Sequence, residues 1–159
     1  MKKCTILLLI ALLILAGIFI FFFYRMGSND AKALADFPVA YRNYDQAISD
    51  LYNAILANDP DNLLTIDNLE YNADQALNFL NKQASIRISS LTRNDGDIME
   101  VSLEIVALAG NELDTLKAYH TSVANRTNDI NKFAKDFTDL RKQREAAYSH
   151  YLEFTMEGK

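Results

Sequence analysis

Residues 6–23 read ILLLIALLILAGIFIFFF, eighteen successive Ile, Leu, Ala, Phe and Gly residues without one polar side chain. A helix on the surface of a water-soluble domain keeps a polar face, and this run offers none on any side. Extended by Thr5 and Tyr24 it reaches twenty residues, the length a helix needs to cross about 30 Å of hydrocarbon. Tyr24 and Arg25 suit its outer edge, where a ring sits among headgroups and a guanidinium reaches for water.

The same run can be read as a secretory leader. Leader cores are shorter, about 7–15 residues. Ala31-Lys32-Ala33 has the small–x–small form of a cleavage site but lies well past the apolar run. A retained signal-anchor over residues 1–25, contacting the lipid bilayer through residues 5–24, is the expectation; cleavage would leave a secreted soluble helical protein instead. Lys2, Lys3 and the amino terminus lie on one side of the run, and Arg25 and Lys32 on the other. This bias predicts a single-pass protein with its N-terminus inside and its bulk extracytoplasmic. Cys4, the one cysteine, excludes a disulfide framework. It precedes the apolar run, whereas a bacterial lipoprotein carries its cysteine just after it. Cys4 reads as an inert thiol, with acylation at the membrane face as the second reading.

Residues 26–35, opening with MGSND, read as a polar hinge, and residues 36–159 as one extracytoplasmic helical domain. The whole chain holds only five Gly and two Pro, which favours long helices. Leu34, Phe37, Tyr41, Tyr44, Ile48, Leu51 and Ile55 recur at steps of three and four, one stripe on one helix face. Pro38 suits a first helical turn, so that helix is expected to begin near 36–38. NDPDN (58–62) reads as a turn. A second stripe follows through Leu69, Ala73, Leu77, Leu80, Ala84, Ile88 and Leu91, with RNDGD (93–97) closing it. Gly96 would sit in the left-handed end and Asp97 would cap the next helix.

From Leu116 a heptad runs through Tyr119, Val123, Arg126, Ile130, Phe133, Phe137, Leu140, Arg144, Ala147, Tyr151 and Phe154. A break in ANRTND (124–129) gives an antiparallel four-helix bundle near 37–58, 60–92, 97–125 and 129–156. Without a break, a helical hairpin would precede one coiled-coil helix of about 60 residues, roughly 90 Å long, and the chain would dimerise. The bundle is favoured because it buries every stripe within one chain. Acidic residues prevail over 97–125 (Asp97, Glu100, Glu104, Glu112, Asp114) and basic ones over 132–144 (Lys132, Lys135, Arg141, Lys142, Arg144). The two helices are therefore expected to pair through opposite charge, each exposed pair contributing only about 0–1 kcal/mol.

No residue is assigned a catalytic, cofactor-binding or metal-binding role. His120 and His150 have no Glu three residues before them, so the Glu-x-x-His pairs of a bundle metal site are missing. Both histidines are expected at the surface, with His150 and Glu153 sharing a face. No Gly-rich loop offers a phosphate cradle. A net charge of −5 with no basic run after residue 3 disfavours nucleic acid. Tyr41, Tyr44, Tyr119 and Tyr151 lie on core stripes and are expected to pack, while Tyr52, Tyr71 and Tyr148 complete the set that a ligand cavity would draw on. Arg126 and Arg144 occupy stripe positions where a charge is costly; Arg126 reads as a loop marker, and Arg144 as either an interhelical pair or a side chain that reaches past a thin core. Asn125-Arg126-Thr127 fits a glycosylation tripeptide. Residues 44–62 share Ala47, Leu51, Ala54 and Pro60 with the second helix of a tetratricopeptide repeat, but nothing repeats 34 residues on, and that family is set aside.

These observations point to a membrane-anchored, non-enzymatic helical bundle acting as an interaction or scaffold module at the cell envelope, partnered by another protein or by itself through its helix stripes. The alternative is a ligand-sensing bundle that resembles, at the level of architecture, the outer domains of chemoreceptors.

Overall fold

A computed structural model describes residues 2–57, 63–85, 95–124 and 130–157 of the chain. The described residues form four helices: α1 (Lys2–Ala57), α2 (Leu63–Ala84), α3 (Asp95–Ala124) and α4 (Ile130–Glu157). They pack as an all-helical bundle, α3 most extensively on α4, α1 on α2, and α2 on α3. Side-chain pairs set the directions. Asp74 meets Lys117 and Glu70 meets His120, so α2 and α3 run antiparallel. Tyr119 lies against Phe133, and Glu112 against Arg144, so α3 and α4 do too. Phe37 with Tyr151, Tyr41 with Tyr148 and Tyr52 with Phe137 give the same sense for α1 and α4.

The single long rod is thereby excluded. Glu112 and Arg144 are 32 residues apart, a separation of about 48 Å in one straight helix, yet their side chains meet at 2.7 Å. α3 runs to Ala124 and α4 starts at Ile130, and residues 125–129 lie outside the described residues.

The first stripe is buried as read: Phe37, Tyr41, Tyr44, Ile48, Leu51 and Ile55 all lie in the core, with Leu34 partly covered at its edge. Each helix buries one such face, and burial of this kind contributes roughly 25 cal/mol per Å² of apolar surface. Ala73, Leu80 and Ala84 of α2 join it, as do Phe137, Ala147 and Tyr151 of α4. The described α2 runs to Ala84. Ile88 and Leu91 lie outside the described residues. Gly96 and Asp97 stand within the first turn of α3, so they neither end α2 nor cap α3.

The expected hinge at 26–35 is corrected. α1 continues through it without a break. One glycine in a helix costs about 1 kcal/mol relative to Ala, and AKALA (31–35) that follows is made of strong helix formers. Pro38 likewise lies inside α1 and not at its start. A proline has no N–H, so the carbonyl of Leu34, four residues before it, loses its usual helical donor. The Tyr151 hydroxyl of α4 points at that carbonyl oxygen from 3.5 Å, near the outer limit of a hydrogen bond. A tertiary contact thus serves the acceptor that the local sequence strands.

Of the apolar run, side-chain surroundings are described for residues 14–21. All eight positions are exposed. Among the described residues no helix is long and apolar enough to cross a membrane.

A buried charge cluster as candidate functional site

The most chemically loaded group of side chains lies where α1, α3 and α4 meet. Arg144 and Glu112 are both fully buried, at 0% exposure. Arg144 Nε donates to Glu112 Oε2 at 2.7 Å, and Nη2 approaches Oε1 at 3.4 Å. Nη2 also donates to Asp45 Oδ1 of α1 at 2.8 Å. One guanidinium therefore joins three helices, through the planar fork that suits Arg and not Lys. Arg141, one turn earlier, extends the cluster: its Nη2 donates to Ser49 Oγ at 2.9 Å and lies 3.4 Å from Asp45 Oδ1.

Two tyrosines wall the cation. The Arg144 Cζ lies 5.0 Å from the ring centre of Tyr41 and 5.3 Å from that of Tyr44, within cation–π range. Tyr44 crosses the core to donate its hydroxyl to the Ala109 carbonyl at 2.6 Å. Glu112 Oε2 stands 3.5 Å from the same hydroxyl. Tyr41 stacks on Tyr148, ring centres 3.6 Å apart. Arg144 Nη1 is buried and has no hydrogen-bond partner.

Burial pushes the Glu112 carboxyl above the usual carboxylate range, and Arg144 pulls it back only in part. Burial works against the Arg144 charge as well, but Glu112 and then Asp45 outweigh it and hold the guanidinium protonated. The two-point contact between them is the geometry of a charged pair. Burial also raises Tyr41 from 10 to about 12, against the pull of Arg144. Tyr44 and Tyr151 are pushed further up by the same cause.

The undecided role of Arg144 is settled as an interhelical pair. Its partner was legible in part. Glu112 stands in heptad phase with Ile98, Ile105 and Tyr119, all buried, so an acid on that stripe signals a buried partner. Read by composition alone, it passes as one of the surface acids of α3. The expected pairing of an acidic α3 with a basic α4 holds for Glu112 and Arg144. Elsewhere it is redirected: Lys117 pairs with Asp74 of α2 at 2.8 Å, and Arg141 turns to α1.

His120 is half-buried, with Nδ1 2.9 Å from Glu70 Oε1, so it belongs to the α2–α3 seam and not to open surface. His150 and Glu153 are exposed on α4. Among the described residues no group of three or more His, Cys, Asp or Glu is placed to hold a metal ion. Tyr119 is buried, Tyr52 and Tyr148 half-buried, and Tyr71 exposed, so all of these but Tyr71 pack between helices. An open groove of about 590 Å³ runs between α3 and α4 beside Asp114, Asp136, Asp139 and Gln143; Asp139 is already paired with Lys135. Arg126 and the tripeptide 125–127 lie outside the described residues, as does the side chain of Cys4. Comparison with protein-family models, with curated proteins and with solved structures returns no match to this chain.

Proposed function

We propose that this chain is a membrane-anchored, non-enzymatic helical bundle that acts as a tethered interaction or scaffold module at the cell envelope. The observation that carries this reading is the exposure of Ile14, Leu15, Ile18, Ile20 and Phe21, between 50% and 70% each. At 100° per residue the eight exposed positions of 14–21, these five among them, point to every side of α1. The bundle covers none of these faces, and an apolar helix with no polar face is stable in lipid and not in water. The described stretch is only about 12 Å long; the full run of residues 6–23 supplies the span.

The continuous course of α1 bears on how such a tether works. From Phe21 to Phe37, where the core begins, the helix rises about 24 Å. A bundle carried on one helix keeps a set distance from the bilayer, and confinement to a surface raises its effective concentration for a partner. Arg144 and Glu112 are sealed between helices, so a substrate has no open path to them.

The test is topological. The full chain, carrying a C-terminal tag and expressed in a bacterium, is expected in the membrane fraction, retained through a high-salt wash and released by detergent. Protease added to spheroplasts is expected to remove the tag. Release by salt alone, or a tag protected while the outer face is accessible, would overturn the proposal.

A further inference from the structure

We infer that the buried Arg144–Glu112–Asp45 network selects the register in which α1, α3 and α4 pair, and contributes specificity in place of net stability. The core stripes repeat by sevens. Phe137 and Tyr151 stand seven residues either side of Arg144, Ile105 and Tyr119 seven either side of Glu112, and Phe37 and Leu51 seven either side of Tyr44. All six are apolar or aromatic and all six are buried. A slip of α4 by one heptad would therefore set aromatic and aliphatic residues against others of the same kind. Hydrophobic burial is non-directional and separates such registers weakly.

The charges separate them strongly. A slipped α4 would bring Arg144 opposite Ile105 or Tyr119 and leave Glu112 facing Phe137 or Tyr151. Two buried ions would then lack partners, and that costs far more than a change of apolar neighbour. In the observed register one guanidinium satisfies carboxylates from two other helices, at 2.7 and 2.8 Å. A paired buried ion roughly offsets its own desolvation, so the network adds little over a well-packed apolar core. Its effect is to exclude the alternatives, the role a single buried polar residue plays in fixing coiled-coil register.

The experiment uses the full chain in detergent, with Cys4→Ser and spin labels at Gln46→Cys on α1 and Ala146→Cys on α4, both exposed positions. The parent is expected to give one narrow interlabel distance. Glu112→Leu with Arg144→Met is expected to keep cooperative urea unfolding, with a midpoint at or above the parent's. It should also add a second distance, from a heptad shift of about 10 Å along the axis. A single parental distance in that variant would overturn the inference, whatever its midpoint. If the variant loses its helical circular dichroism, Glu112→Gln with Arg144→Gln takes its place. One parental distance there, or loss of helix again, would show a stabilising network and would equally overturn it.

Discussion

The two halves of α1 are one helix in two surroundings. Over residues 14–21 every side chain is exposed and nearly every one is large and apolar. Over residues 37–55 the exposed positions include Arg42, Asn43, Gln46 and Asp50, while Phe37, Tyr41, Tyr44, Ile48, Leu51 and Ile55 are buried. The backbone is the same in both. What differs is the angular pattern of polarity, and that pattern is the basis for proposing a different solvent for each half. Between them, Pro38 and Gly27 fail to divide the helix. On the proposal above, the junction is a change of environment along an unbroken element.

Substitutions in the two halves should therefore fail in different ways. The largest effect is expected in the bundle. Arg144→Met strands the Glu112 carboxylate in the core, and removing one partner of a buried pair costs about 3–5 kcal/mol. Chemical denaturation in detergent should show this loss while membrane association is unchanged. Next, Ile18→Arg places a charge in the apolar half, where it costs about 2.5–3.5 kcal/mol at a bilayer centre. It should move protein out of the membrane fraction and leave the denaturation midpoint of the bundle where it was. If either change affects both measurements equally, the division of α1 is wrong.

Alkali should reach the bundle half alone. Tyr41 is raised in the folded state from 10 to about 12. A group raised on folding contributes stability that is complete below its unfolded value and is lost as pH climbs through the folded one. The bundle should lose stability between about pH 10 and 12, with tyrosinate absorbance rising in step with loss of helical signal. Glu112 is raised too, so it follows the same sign at lower pH: acidification toward the ordinary carboxylate range does not weaken the fold through this group. The smallest effect tests the junction. Tyr151→Phe removes the hydroxyl that faces the Leu34 carbonyl and should cost about 1 kcal/mol. In a Pro38→Ala background the backbone N–H returns to that carbonyl, and the same change should cost close to nothing. A cost independent of Pro38 would separate the two residues.

The stripe of α1 was legible in the sequence because its period is local and unbroken. The antiparallel return of α4 was legible only as a preference, since the heptad phase of Leu116 to Phe154 suits a rod as well. The Glu112–Arg144 contact decides it, and a contact between residues 32 apart has no local signature. The start of α1 was misread for a related reason. Pro38 is a strong local signal for a helix end, and it is overridden by Ala-rich sequence before it and by Tyr151 more than a hundred residues away. Asp45 carried no signal at all, being one polar residue among several on the outer side of its helix until Arg144 reaches it. The charge cluster was thus half visible, as an Arg and a Glu in core phase, and its third member required the fold.

The most direct test of one helix in two solvents is an accessibility scan along α1. Single cysteines in a Cys4→Ser background, spin-labelled in lipid bilayers, report collision with oxygen, which enriches in lipid, and with a water-soluble nickel reagent. Positions 14, 15, 18, 20 and 21 should all be open to oxygen and closed to nickel. Between 37 and 55, nickel access should follow the 3.6-residue period, high at 42, 43, 46 and 50 and low at 41, 44 and 48. Nickel access at all five positions in 14–21, or a 3.6-residue period there, would contradict the account.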